Sequence, residues 1–165
     1  KIQIVDTGID TNKSLRISQV RNLISEEDFF IVYGDDLADI NLYKLRKYHE
    51  YMQNVITITA VKLTSPFGIL EMDEEHYVTK FNEKPILDHW INGGFMVANK
   101  NLFNYLKYGE LEDEVFKKLV EDKKIGAYKH NGRWKTMNTL KDNIELNALW
   151  TTGDAFWKTR TQDEK

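Results

Sequence analysis

The chain has 165 residues, with 23 Lys and Arg against 26 Asp and Glu, and carries a formal charge of −3 at neutral pH. A hydrophobic content of 41% with only two prolines excludes a disordered or collagen-like chain, and the absence of cysteine excludes disulfide scaffolds, thiolate metal sites and thiol nucleophiles. No apolar run approaches the roughly twenty residues of a membrane-spanning helix, and the basic residues form no stripe suited to a nucleic-acid backbone. These features predict a single cytoplasmic domain over residues 1–165, with neither membrane nor nucleic acid as partner.

Residues 2–5 alternate as a strand does, and a polar, glycine-containing stretch follows them. Ser14 is placed to cap a helix on which Leu15, Ile17, Val20, Leu23 and Ile24 fall near helical spacing. Phe29 to Tyr33 are five consecutive large apolar or aromatic residues, the pattern of a strand buried on both faces, and Gly34-Asp35-Asp36 stops them. Asp39 or Asn41 opens the next helix, whose apolar stripe is Leu42, Leu45, Tyr48, Tyr51 and Met52. Residues 55–61 then read as a strand. Strand, helix and strand in that order predict parallel strands joined by a crossover helix, hence a three-layer α/β fold with a mainly parallel sheet.

From Phe67 the texture changes. Residues 68–72 and 77–81 predict a hairpin, residues 95–98 a buried strand after Gly93-Gly94, and residues 100–107 and 112–122 two short helices. Residues 125–130 and 133–136 flank Asn131-Gly132, the strongest short hairpin signal in the chain. Residues 140–150 read as an amphipathic helix, for which Asn138 or Thr139 is the N-cap. The histidines His49, His76, His89 and His130 share no metal-ligand spacing.

Three places combine residue types that suit chemistry. Asp35 stands at the carboxyl end of a buried strand, the edge where open α/β sheets bind ligands, and a carboxylate there suits a hard cation. A solvated turn would have the same local sequence. Phe81-Asn82-Glu83-Lys84-Pro85 sets a lysine, a compact partner for a phosphoryl oxygen, beside a carboxylate that can accept from a hydroxyl. Trp90-Ile91-Asn92-Gly93-Gly94 offers an amide that both donates and accepts beside two residues without side chains; the glycines also suit a β-bulge.

Taken in order, Tyr-Gly-Asp-Asp-Leu-Ala-Asp-Ile (33–40), Phe-Gly (67–68), Phe-Asn-Glu-Lys-Pro (81–85), Trp-Ile-Asn-Gly-Gly-Phe (90–95) and Trp-Lys-Thr-Met-Asn-Thr (134–139) resemble the sugar-1-phosphate nucleotidyltransferases. The glucose-1-phosphate cytidylyltransferase branch is the nearest, and Val-Asp-Thr-Gly (5–8) and residues 149–158 are similar to it as well. The resemblance implies the nucleotide-diphospho-sugar transferase fold, with this chain as its C-terminal part and the glycine-rich nucleotide-binding part missing upstream of Lys1. It implies transfer of a cytidylyl group from CTP to α-D-glucose 1-phosphate, with Mg²⁺ as cofactor, CDP-glucose and pyrophosphate as products, and a homo-oligomer.

By the same resemblance Asp35 is a metal ligand, Lys84 holds the sugar phosphate, Glu83, Asn92 and Gly93 contact glucose, and Gly68 lies close to the ligand. Asn138 stands where the family carries a second, aspartate metal ligand, and Asp36 stands where the branch has glycine, as a possible compensating carboxylate. Residues 12–14 also depart from a pair of glycines followed by a basic residue. Two alternatives remain at this point: a catalytically weakened homologue that binds a sugar nucleotide, and a sibling enzyme using another nucleotide.

Overall fold

The computed structural model describes residues 2–158. Its centre is a four-stranded sheet of β1 (Asp28–Val32), β6 (Ile86–Asn99), β3 (Ile56–Thr64) and β7 (Ile125–Lys129), in that spatial order. β6 is antiparallel to both β1 and β3, while β7 is parallel to β3, so β1, β3 and β7 all run one way. The α/β architecture expected from the sequence is present, but the sheet is mixed and not mainly parallel: β6 runs in the opposite sense between the two strands joined by the crossover, so only the β3–β7 pairing is parallel.

Successive residues of β3 face opposite sides of the sheet, and this builds the layers. Ile56 and Ile58 join a core made with Met96, Ala98, Leu102, Phe103, Leu106, Leu111, Val115 and Leu119, against which Ile17 of α1 (Lys13–Gln19) and Phe116 of α3 (Phe116–Glu121) pack. Each fully buried leucine of this set stabilises the fold by about 1.5–3 kcal/mol. On the opposite face Thr57 receives His49 of α2 (Leu42–Met52), Nδ1 to Oγ1 at 2.8 Å. Two ribbons complete the chain, the hairpin of β4 (Ile69–Met72) with β5 (Val78–Asn82), and β2 (Asp36–Ala38) paired with β8 (Trp134–Thr136). No helix among the described residues is long and apolar enough to cross a membrane.

Helix starts follow side-chain chemistry. Asn41 caps α2 by accepting from the Lys44 amide at 2.9 Å, and Thr139 caps α4 (Leu140–Thr152) in a reciprocal capping box with Asp142. α1 is capped by Asn12, whose Oδ1 accepts from the Leu15 amide at 2.8 Å; Ser14, the expected cap, is buried inside the first turn. Residues 2–5 form no strand, and Ile2 and Ile4 are exposed, since no strand lies beside them among the described residues. The helix expected at 100–107 is two 3₁₀ turns, Lys100–Asn104 and Leu106–Tyr108, and α3 is preceded by a π-helical turn at Leu111–Val115.

The largest departure concerns Asn131-Gly132, which does not close a hairpin. β7 stays with β3, a pairing prolonged when the His130 amide donates to Ala60 O at 2.9 Å. Beyond the turn, Asp39 Oδ1 accepts from the Arg133 amide at 2.8 Å and the chain pairs with β2. Two long-range ladders thus replace the local one that the dipeptide suggests.

His49 is almost fully buried, and desolvation lowers its pKa below the ordinary 6.5, against the opposing pull of Asp28 and Glu50. A depressed pKa means that the folded state binds the proton less readily than the unfolded one, so the neutral ring's stabilisation is complete above pH 6.5 and is lost as pH falls below it. Thermal unfolding from pH 7.5 down to 5 is expected to show a falling Tm, and His49→Gln is expected to flatten that slope.

Candidate functional site

The turn Tyr33-Gly34-Asp35 leaves β1 at the same end of the sheet at which β6 is irregular. Ile58 pairs with Met96 but Ala60 pairs with Asn92, so β6 carries two more residues than β3 over this interval, a bulge at Gly93-Gly94-Phe95. Gly94 has φ 74°, and a Cβ there would collide with the Asp36 carboxylate. A Cβ on Gly93 would lie 2.8 Å from Val61 Cγ1, so both glycines are needed for close packing as well as for the bend.

Backbone groups at the bulge bind the site together. Gly94 O accepts from the Tyr33 amide at 2.9 Å, and Gly93 O accepts from Trp134 Nε1 at 2.9 Å. Asn92 Oδ1 accepts from the Gly94 amide at 3.0 Å. Pairing of β2 with β8 sets Asp36 opposite Thr136, and Asp35 O accepts from the Met137 amide at 2.8 Å. Asp35 therefore lies beside Met137, the residue before Asn138, although the two candidate ligands are far apart in the chain.

Asp36 does not join them. It is buried against Gly94, where desolvation and the neighbouring Asp35 charge raise its pKa while a hydrogen bond with Thr136 opposes the rise. Asp35 instead borders a cavity of about 400 Å³ that is also lined by Lys13, Arg16 and Tyr33; Asp36 borders another, of about 790 Å³. Because the two side chains border different cavities, Asp36 is a poor substitute for the second carboxylate.

A second group forms around the start of β6. A Cβ on Gly68 would lie 2.6 Å from Phe81 Cζ and 3.1 Å from Glu83 Oε2, so Gly68 and Glu83 are brought together. Lys84 has φ 46°, its Nζ is 4.0 Å from Glu83 Oε1, and both side chains are more than half exposed. The Ser65 amide donates to Pro85 O at 2.9 Å, and Thr64 pairs with Ile86. Ala60, opposite Asn92, is four residues from Thr64, about 13 Å along β3. Gly68, Glu83 and Lys84 thus make one group, and Asp35, Asn92, Gly93 and Asn138 another.

Sequence reasoning missed Tyr33 and Glu112. The Tyr33 hydroxyl donates to Glu112 Oε1 at 2.5 Å, and Lys13 Nζ binds the same carboxylate and lies 4.5 Å from the centre of the Tyr33 ring. Burial is the largest cause, and the Glu112 hydrogen bond the next, of a Tyr33 pKa well above the ordinary phenol range. The available signal was the tyrosine itself, because a half-buried phenol at a strand end needs a partner for its hydroxyl.

Gly94→Ala is expected to destabilise the fold by at least about 2 kcal/mol, from the left-handed backbone together with displacement of the Asp36 carboxylate. Urea unfolding should show a lowered midpoint at unchanged slope.

Comparison with known proteins gives this geometry a family. A protein described as a probable glucose-1-phosphate cytidylyltransferase of Bacillus subtilis (strain 168) is 39% identical over 161 residues, covering 96% of this chain and 63% of the relative. The glucose-1-phosphate cytidylyltransferase of Salmonella typhi is 32% identical over 162 residues with the same coverage, so the chain spans slightly less than two thirds of these relatives' length. A solved structure from Bacillus anthracis, provisionally named a glucose-1-phosphate thymidylyltransferase, shares the fold at a TM-score of 0.65 and 14% identity, over 98% of this chain and 66% of that one. The nucleotidyl transferase family model matches residues 8–153, and the chain belongs to that family.

Proposed function

We propose that the chain carries the sugar-phosphate site and one side of the metal site of an enzyme that transfers a cytidylyl group from CTP to α-D-glucose 1-phosphate. A phosphate oxygen of the sugar attacks the α-phosphorus of CTP, the bond to the β-phosphate breaks, and pyrophosphate leaves as CDP-glucose forms. The observation that supports this reading best is the β2 and β8 register, which sets Asp35 beside Met137 and so next to Asn138. Among the described residues there is no group of three or more acidic or histidine side chains able to enclose a metal. One carboxylate and one amide oxygen fit Mg²⁺, which is usually held by few protein oxygens together with substrate phosphates.

Asp35 and Asn138 would hold Mg²⁺, which when bound would supply positive charge against the triphosphate. The chain's own residues position the acceptor. Lys84 brings a compact positive charge to the sugar phosphate, Glu83 accepts from a sugar hydroxyl, Asn92 hydrogen-bonds another, and Gly68 and Gly93 let the ligand approach the backbone. No covalent enzyme intermediate is required, since in-line attack needs positioning and charge neutralisation alone.

The full-length protein supplied with Mg²⁺ and glucose 1-phosphate is expected to release pyrophosphate from CTP and not from UTP, dTTP, ATP or GTP. Release from another nucleotide would keep the family and change the donor. No release from any, with CDP-glucose still bound, would leave a sugar-nucleotide-binding homologue without turnover. Asn138 specifically favours that second reading, because it offers a neutral oxygen where the resemblance leads one to expect a charged one. Asn138→Asp separates the two: a catalyst limited by a weakly held metal gains turnover and needs less Mg²⁺, whereas a binding homologue shows no gain.

A further inference from the structure

Strand register puts a second group of side chains on the sheet face that carries Asn92. Ala60 of β3 pairs with Asn92 of β6 and with Lys129 of β7, and Lys62 pairs with Trp90, so Asn92, Ala60 and Lys129 form one row and Trp90 and Lys62 the next. Residues opposite one another or two apart share a face, and the two rows are about 7 Å from each other along the strands. Trp90 and Lys62 thus occupy the stretch between Asn92 and the group of Gly68, Glu83 and Lys84. The indole gathers two cations, with Lys62 Nζ 5.5 Å and Lys129 Nζ 5.2 Å from its ring centre. Lys129 and Trp90 reach one another across β3, where Ala60 offers only a methyl group and is buried.

The two ammonium groups are no more than about 11 Å apart, close to the screening length in physiological salt, so they repel each other. An aromatic face attracts a cation without neutralising it. Among the described residues the carboxylate beside Lys62 is that of Asp88, 3.5 Å away and fully exposed, and Lys129 enters no ion pair. An exposed pair of that length holds little energy and yields readily to another anion. We propose that Lys62 and Lys129 bind the phosphate of the acceptor sugar, adding to the charge that Lys84 brings, and that Trp90 is the positioning residue that keeps both ammonium groups beside Asn92. This rests on the reading of Asn92 as a glucose contact. A phosphate joined to C1 of the sugar is a dianion at neutral pH and lies within a ring's width of the hydroxyls, which fits the step of about 7 Å from Asn92 to Trp90. β3 and β7 stand on the far side of β6 from the Asp35 turn, which favours the acceptor over the triphosphate as their anion.

Calorimetric titration of the full-length protein tests the inference. Lys62→Ala and Lys129→Ala are each expected to weaken glucose 1-phosphate about tenfold, the worth of one charged hydrogen bond, while leaving CTP with Mg²⁺ unaffected. Lys129→Arg, which retains the positive charge and its attraction to the ring, is expected to stay within about threefold of wild type. Trp90→Leu is expected to weaken glucose 1-phosphate about threefold, and Trp90→Phe to restore most of that loss, because a ring face and not bulk alone holds the ammonium groups. With both lysines already replaced by alanine, Trp90→Leu is expected to have no further effect.

Wild-type affinity in either lysine-to-alanine variant, with Asn92→Ala weakened, overturns this inference and keeps the sugar-site reading. Equal losses for CTP and glucose 1-phosphate would mark a general effect of charge on anions and overturn it too. Equal losses in Lys129→Arg and Lys129→Ala would show that the charge is not what binds, with the same consequence. An absence of wild-type glucose 1-phosphate binding overturns the sugar-site reading itself, and this inference with it.

Discussion

The extra residues that β6 carries opposite Thr59 constrain the rest of the site. A regular antiparallel strand would direct the carbonyls of residues 93 and 94 into the ladder with its neighbours. Gly94 O still continues the β1 ladder, accepting from the Tyr33 amide in register with the Val32–Phe95 pair, while the bulge turns Gly93 O to the Trp134 indole. The indole bond fixes the start of β8 and the ladder bond fixes the turn that carries Asp35. Since β8 leads into Asn138 and the Tyr33 turn leads into Asp35, two remote segments take their relative position from one irregularity in a third. Glycine is required at position 94 because its left-handed backbone and the carboxylate packed against it exclude a side chain.

The same irregularity explains which parts of the architecture were legible in the amino-acid sequence. Helix starts at Asn41 and Thr139 depend on side chains within three residues of the cap, so local reading narrows each to two candidates, Asp39 or Asn41 and Asn138 or Thr139. The run Phe29 to Tyr33 announces a strand for the same reason, but not one buried on both faces: β1 lies at the edge of its sheet, and Phe30 and Val32 are exposed. Asn131-Gly132 misleads because a turn dipeptide reports local cost and says nothing of competing partners; β3 and β2 each offer a longer-range ladder. β6 was legible only over residues 95–98, since glycines and bulges break the alternation that would have revealed all 14 residues from Ile86 to Asn99. Candidate site residues were legible as motifs, but their grouping was not. Gly68 with Glu83, and Asp35 with Asn138, are joined by strand pairings and turns that no spacing encodes.

Electrostatics divides the two adjacent aspartates into different roles. Asp36 is buried, faces Gly94 and Thr136, and has a raised pKa, features of a carboxylate held inside the packing. Asp35 borders a cavity shared with Lys13 and Arg16. A site for anionic reactants benefits from this arrangement. The positive charge of Lys13 is partly spent on Glu112, and this pairing tempers attraction of anions while keeping the Tyr33 ring covered.

On the proposed reading, the consequence of Asn138 reaches beyond a weaker metal site. A divalent cation facing one carboxylate and one amide retains most of its charge unneutralised by the protein, so its affinity in the absence of nucleotide is low. The triphosphate brings the missing negative charge, and each therefore raises the affinity for the other by the same factor. An aspartate at position 138 would shift part of that neutralisation onto the protein, loosening the dependence of metal on nucleotide. A chain with asparagine there would thus favour metal and nucleotide arriving together, while Lys84 would hold the sugar phosphate without help from the metal.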